Sequence, residues 1–199
     1  MTQRPPITCA NLAVQGECNA PCVSFIPSWV PVAALLVAGL TFAAPALATE
    51  HEAVEYGHVL TECYVSGADT EAKAACLGEM STFCMETQDG GESTLGMTSC
   101  LNAEADVWDG FLNDEYRRTR DWARRADEDE AVLFPEYAVR SDKLLEAQRA
   151  WIAFRDAECA LDYAEWGSGS MRNIAYADCR MTMTADRTID LRQMREIFE

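Results

Sequence analysis

Positive charge is scarce in this chain. Its 16 Lys and Arg residues stand against 33 Asp and Glu, a formal net charge of −17. Such a field repels nucleic acid and anionic membrane surfaces and favours cationic partners, although the same charge also serves solubility. Histidine is nearly absent, with two residues. His51, Glu55 and His58 are the one metal-like arrangement, at i, i+4 and i+7 on one helix face. They fall where a mature amino terminus would fray, so no metal is expected there. No CxxC pair occurs, and the cysteine spacings from Cys63 onward match neither a zinc finger nor a ribbon. No Gly-x-Ser-x-Gly elbow exists: Gly167-Ser168-Gly169 lacks the second spacer and follows no strand. No glycine loop is suited to phosphate. Asp156 and Glu158 read as partners of Arg149, Arg155 or Arg187 rather than as a glycosidase pair. An enzyme is therefore not expected, nor a cofactor. Alternation with period two is also missing, which excludes a sheet.

What is present is helical periodicity. Leu144, Leu145, Gln148, Trp151, Ile152, Arg155 and Cys159 recur at steps of three and four, with alanines between them. Gln148 and Arg155 lie inside an otherwise apolar face. Buried polar side chains cost several kcal/mol unless partnered, roughly 1–3 per unsatisfied group. The spacing thus predicts a structural polar network of Gln148, Arg155, Asp156 and Arg187 between helices, with Asp106 and Glu158 as further candidate acceptors for Arg155.

The run Gln148-Arg149-Ala150-Trp151-Ile152-Ala153-Phe154-Arg155-Asp156-Ala157-Glu158-Cys159 is followed by Gly167-Ser168-Gly169-Ser170, then Cys179, Thr184, Arg187 and Leu191. With Cys84, Cys100, Leu112-Asn113 and Tyr116 before it, this pattern resembles the lysozyme-inhibitor LprI-like domain family. The resemblance implies a small exported bacterial protein, and lysozyme as a partner.

Residues 30–47 form an uncharged apolar run ending in Ala46-Leu47-Ala48, a secretory signal with Thr49 as the first mature residue. The run is too short and too rich in Ala, Gly and Pro for a membrane span, so no stable span is expected after cleavage. The residues before it, with Cys9, Cys18 and Cys22, make a poor signal n-region and suggest an over-extended start; they are set apart from the fold. Gln15-Gly16-Glu17 before Cys18 is no lipidation box. The organisation read here is a signal region over 1–48 and an LprI-like helical domain over 49–199, periplasmic or secreted. Removing residues 1–48 leaves 15 basic and 32 acidic residues.

The mature chain keeps six cysteines, which in an exported domain form disulfides. Local pairing is expected: Cys159 with Cys179 across the Gly-Ser turn, Cys84 with Cys100 across a Gly-rich loop, and Cys63 with Cys76. Further helices are expected over residues 50–65, 70–85, about 94–125 and 171–197. The first has Val54, His58 and Leu60 among its inner candidates. The third has Trp108 and Trp122 on its stripe and Gly110 at a close crossing; Arg117 to Arg125 sit near its end, before an acidic linker at Asp127-Glu128-Asp129-Glu130. The fold class is all-α, a disulfide-stapled antiparallel bundle of four or five helices. Two functions fit. One is an acidic binding protein that inhibits lysozyme, or binds another cationic protein, through the loop at Asp89-Gly90-Gly91-Glu92, the linker or the Gly167 turn. The other is a non-enzymatic cell-envelope interaction or structural module, anchored by Trp108, Trp122 and Trp166 where exposed.

Overall fold

The computed structural model describes residues 44–197. The elements are α1 (Ala44–Ser66), the one-turn α2 (Thr70–Ala74), α3 (Glu79–Thr87), α4 (Thr94–Glu130), a 3-10 turn at Pro135–Tyr137, α5 (Arg140–Glu165) and α6 (Met171–Glu196). No strand occurs among the described residues, so the all-α bundle stands, with five substantial helices. Most of the expected signal region lies outside the described residues, as do Cys9, Cys18 and Cys22. Residues 44–48 open α1, so that helix begins before the expected Thr49.

The helix at the centre is α4. It runs for 37 residues, roughly 55 Å at the α-helical rise. Its first half packs on α1, α3 and α6, and its second on α5 and α6. Side-chain pairs fix the directions. Glu52 with Ser99 and Tyr64 with Glu115 make α1 parallel to α4. Asn102 with Arg180 and Glu115 with Arg195 make α6 parallel too. The helices α3 and α5 run the opposite way. The larger core gathers around fully buried Trp108, with Leu60, Met80 and Leu101. Tyr64 stacks on Phe111 at 4.4 Å and meets Trp108 edge-on at 5.6 Å. A smaller cluster of Leu112, Ala123, Leu144 and Leu191 fills the second half.

Three disulfides staple neighbouring helices: Cys63–Cys76, Cys84–Cys100 and Cys159–Cys179, with Cα–Cα distances of 5.8, 5.8 and 5.4 Å. They suit a protein outside the reducing cytoplasm. No helix among the described residues is long and apolar enough to cross a membrane. The Cys84–Cys100 bridge closes a tight loop. A Cβ on Gly91 would collide with the Met85 carbonyl, and one on Gly96 with the Gly90 carbonyl, so both positions need glycine.

Several local expectations change. The acidic run at 127–130 is no linker but the end of α4. Helix continues there because Asp127 has a partner. Its carboxylate accepts the backbone N–H of Arg140 at 2.9 Å and of Ser141 at 2.8 Å, capping α5 from another helix. Val139, at the cap position of α5, offers no side-chain acceptor. The arginines from 117 to 125 therefore lie before the last turn of α4, which holds no basic residue. Gly110 marks no crossing, since a Cβ there meets nothing within 4 Å. Val54 and His58 face solvent, because the inner stripe of α1 is Tyr56, Leu60 and Tyr64. Ile152 is also exposed: α5 lies at the edge of the bundle, and only one side of it meets α4 and α6.

Two predictions follow from these staples and caps. Peptide mapping under non-reducing conditions should recover the three local pairs. Opening Cys159–Cys179 with a double Ser substitution should cost roughly 3 kcal/mol, or about 10 °C in melting temperature. A melting temperature within 2 °C of the parent, by way of example about 0.5 kcal/mol, would show that the staple contributes little. The second concerns acid. Burial pushes the Asp127 carboxyl up, but the Ser141 and Arg140 amides and the Arg140 guanidinium outweigh it and hold it below the usual carboxylate range. Its stabilisation is thus complete above the unfolded value of about 4 and is lost as pH falls through the lower folded value. The gap in melting temperature between the parent and Asp127→Asn should be constant from about pH 5 upward and close below about pH 4. A gap that does not shrink at all between pH 5 and pH 2, over about three units, would contradict this linkage.

Candidate functional site

The expected α5–α6 network is assembled around an aromatic ring. Trp151 lies between two guanidiniums, Arg155 at 5.2 Å and Arg187 at 5.9 Å from its centroid. Arg187 donates its Nε to Gln148 Oε1 at 3.0 Å, and Gln148 is buried. Arg155 donates to the Asp156 carboxylate at 2.9 and 3.0 Å and approaches the Thr184 hydroxyl at 3.5 Å. The four residues thus form two pairs joined through Trp151, rather than one hydrogen-bonded chain. Of the other acceptors considered for Arg155, Asp106 binds Arg180 at 2.9 Å, and Glu158 faces solvent. His58 Nδ1 turns to the Glu55 carbonyl at 3.1 Å. The side chain of His51 lies outside the described residues.

Two carboxylates escaped the sequence reading, and both are more deeply placed. Glu104 is fully buried on α4. It accepts the backbone N–H of Gly78 and of Ser81, each at 2.7 Å, and the Trp108 indole N–H at 3.0 Å. Gly78 has no side chain to cap α3, so Glu104 does so from across the interface. Glu115, also fully buried, accepts the Tyr64 hydroxyl at 3.3 Å and Arg118 at 3.2 Å. It also pairs with Arg195, and with Arg192 at 3.6 Å. Burial, and then the Glu115 charge, pushes the Tyr64 phenol up to about 12, so it remains a donor. The acceptor sites of Glu115 are filled by guanidiniums and a phenol. This is a lock on the register of α1, α4 and α6. The signal was position: Glu104 and Glu115 fall on the same helical stripe as Leu101, Ala105, Trp108 and Leu112.

Charge is unevenly divided. Residues 50–116 hold 15 acidic side chains and one basic, whereas residues 117–199 hold 17 acidic and 14 basic. The acidic part comprises α1, α2, α3 and the first half of α4. Burial, and then the nearby Asp162 and Glu104, pushes the Asp178 carboxyl on α6 up. The loop at Asp89-Gly90-Gly91-Glu92 precedes α4, and the turn at Gly167-Ser168-Gly169-Ser170 precedes α6. Since α4 and α6 run parallel with Asn102 beside Arg180, both loops lie at the same, acidic end. The run at 127–130 lies at the other end. A trough of about 470 Å³ opens between α1 and α3, floored by Val59, Leu77 and exposed Phe83 and flanked by Glu79 and Glu86. Apolar floor and acidic walls suit the stem and head of a Lys or Arg side chain from a partner. Of the three tryptophans considered as anchors, Trp108 is core and Trp166 is half exposed.

The two polar systems make different claims on stability. Glu115→Gln leaves guanidiniums around a neutral amide and should cost about 3 kcal/mol, while Arg155→Met, whose acceptor is solvated, should cost about 1 kcal/mol. Urea denaturation of both variants checks the ranking; an Arg155→Met loss equal to that of Glu115→Gln would place the main lock on α5 instead.

Comparison with known proteins covers the same part of the chain. Residues 84–191 match the family described as Lysozyme inhibitor LprI. An uncharacterised protein of Rhizobium meliloti (strain 1021) is 30% identical over 107 residues, 54% of this chain and 77% of that protein. No solved structure matches the chain. The matched segment covers the Cys84–Cys100 and Cys159–Cys179 bridges, both buried carboxylates of α4 and the Trp151 assembly. Over more than half its length, then, this chain belongs to the lysozyme inhibitor LprI family.

Proposed function

We propose that the protein is an exported, non-enzymatic lysozyme inhibitor that docks through its acidic end on the cationic surface and cleft of the enzyme. The observation that carries this reading is the division of charge, 15 acidic residues against one basic over residues 50–116. The family match supports lysozyme as the partner. The trough between α1 and α3 supplies places for basic side chains, and the two loops at the same end supply protrusions for a cleft. Disulfides and the buried carboxylates hold this end rigid, which limits the ordering cost of docking. Charge of this kind raises the association rate more than the affinity and is screened as salt rises.

A second reading, a cell-envelope interaction module, draws on the outer side of α5. Phe154 and Leu161 are more than half exposed there, at helical spacing with the exposed Ala150 and Ala157.

Lysis of bacterial cell walls by lysozyme, followed as turbidity with the oxidised protein added, separates the two. Stoichiometric inhibition that exceeds that of a charge-matched unrelated acidic protein is expected. The double variant Glu79→Gln with Glu86→Gln should weaken it about tenfold. Phe154→Ser should leave it unchanged. Inhibition no better than the control protein removes the inhibitor reading, and loss of inhibition in Phe154→Ser alone moves the interface to α5.

A further inference from the structure

The half of the bundle beyond Glu115 has a thin core. Four buried apolar residues make up its cluster, against fourteen in the cluster around Trp108. A cavity of about 460 Å³ opens there between α4, α5 and α6. It is open to solvent on one side, with the exposed Lys143 and Ala147 at its rim. Its volume falls within the range of small-molecule sites, roughly 300–1,000 Å³. Apolar walls come from Trp122, Leu144 and Met194.

The charged residues on this cavity run against the composition of the chain. Arg140, Lys143 and Arg187 line it, and no carboxylate does. Two of these cations are already neutralised. Arg140 pairs with Asp127 at 3.3 Å and with Glu130 at 2.7 Å, and Lys143 pairs with Glu146 at 2.8 Å. Arg187 differs. Its Nε is held by Gln148 at 3.0 Å, and its guanidinium carbon lies 5.9 Å from the centroid of the Trp151 ring. Neither Nη group has an acceptor among the described residues. Burial pushes the guanidinium down from its ordinary value, and the exposed Asp190 only partly opposes this. A half-buried, always-charged fork, already oriented and lacking a carboxylate, is one half of a bidentate pair.

We propose that the cavity between α4, α5 and α6 binds an amphiphilic anion, an alkyl carboxylate whose headgroup pairs with Arg187 and whose chain lies against Trp122, Leu144 and Met194. The site lies away from the acidic loops, so it is separate from the surface proposed for lysozyme.

Titration of the oxidised protein with decanoate, kept below its micelle concentration, tests this. Binding is read by calorimetry and by tryptophan fluorescence, since Trp122 lines the cavity and Trp151 contacts Arg187. Saturable one-to-one binding is expected. Decanol, with the chain but no charge, should bind at least about tenfold more weakly, and inorganic phosphate, with charge but no chain, should not compete. Arg187→Gln should weaken decanoate by a similar factor. Ala147→Trp, at an exposed alanine on the cavity lining, should block binding while leaving the melting temperature unchanged. No saturable binding, equal binding of decanol, or undiminished binding by Ala147→Trp overturns the proposal. Should Arg187→Gln fail to fold, the decanol comparison and Ala147→Trp decide it.

Discussion

A carboxylate removed from water must be surrounded by donors, and α4 places two such carboxylates in the core. Glu115 draws Tyr64 from α1 and Arg192 and Arg195 from α6 to one point. Glu104 draws the amino-terminal turn of α3 to another. A slip of either helix would leave a buried charge or a bare helix end uncompensated, at a cost of several kcal/mol. Apolar stripes bring α1, α3 and α6 against α4, but they tolerate sliding; the carboxylates choose the register. Thr119 adds to this, its hydroxyl 3.0 Å from the Leu191 carbonyl across the α4–α6 interface.

The disulfides act on different terms. Each closes a short loop between consecutive helices and so restricts the unfolded chain more than it dictates the packing. Two of them join the larger cluster, where Cys76, Cys84 and Cys100 are fully buried. The third lies at the α5–α6 turn, where Cys159 touches Met183 at 3.8 Å. The result is a rigid first half and a second half held by Asp127, the Trp151 assembly and a small apolar cluster. The same asymmetry divides the charge, with the rigid half acidic and the looser half nearly balanced. The surface proposed for lysozyme lies on the first half, and the proposed anion site lies in the half with the smaller core.

Helix content, the turn at Gly167 and the chemistry of Gln148, Arg155, Asp156 and Arg187 were legible because each depends on residues close in sequence. Periodicity marks a face, a Gly-Ser pair marks a turn, and a polar residue inside an apolar face demands a partner. The same reasoning overlooked Glu104 and Glu115. In a chain with 33 acidic residues, two more carboxylates on a long helix resemble solvated ones. It also read the run at 127–130 as a linker, because four successive acidic residues at a helix end oppose the macrodipole. The amides of Arg140 and Ser141 that make Asp127 useful there lie thirteen and fourteen residues away.

By itself, then, the sequence determined that this protein is helical, acidic, rich in cysteine and of the LprI kind, since those properties are sums over local residues. Which helix stands at the centre was decided only in three dimensions. So were the burial of particular carboxylates and the gathering of three cations around one largely apolar cavity. Those outcomes depend on groups far apart in the chain meeting at hydrogen-bond distance, and the energy of such a meeting exists only once water has been excluded from between them.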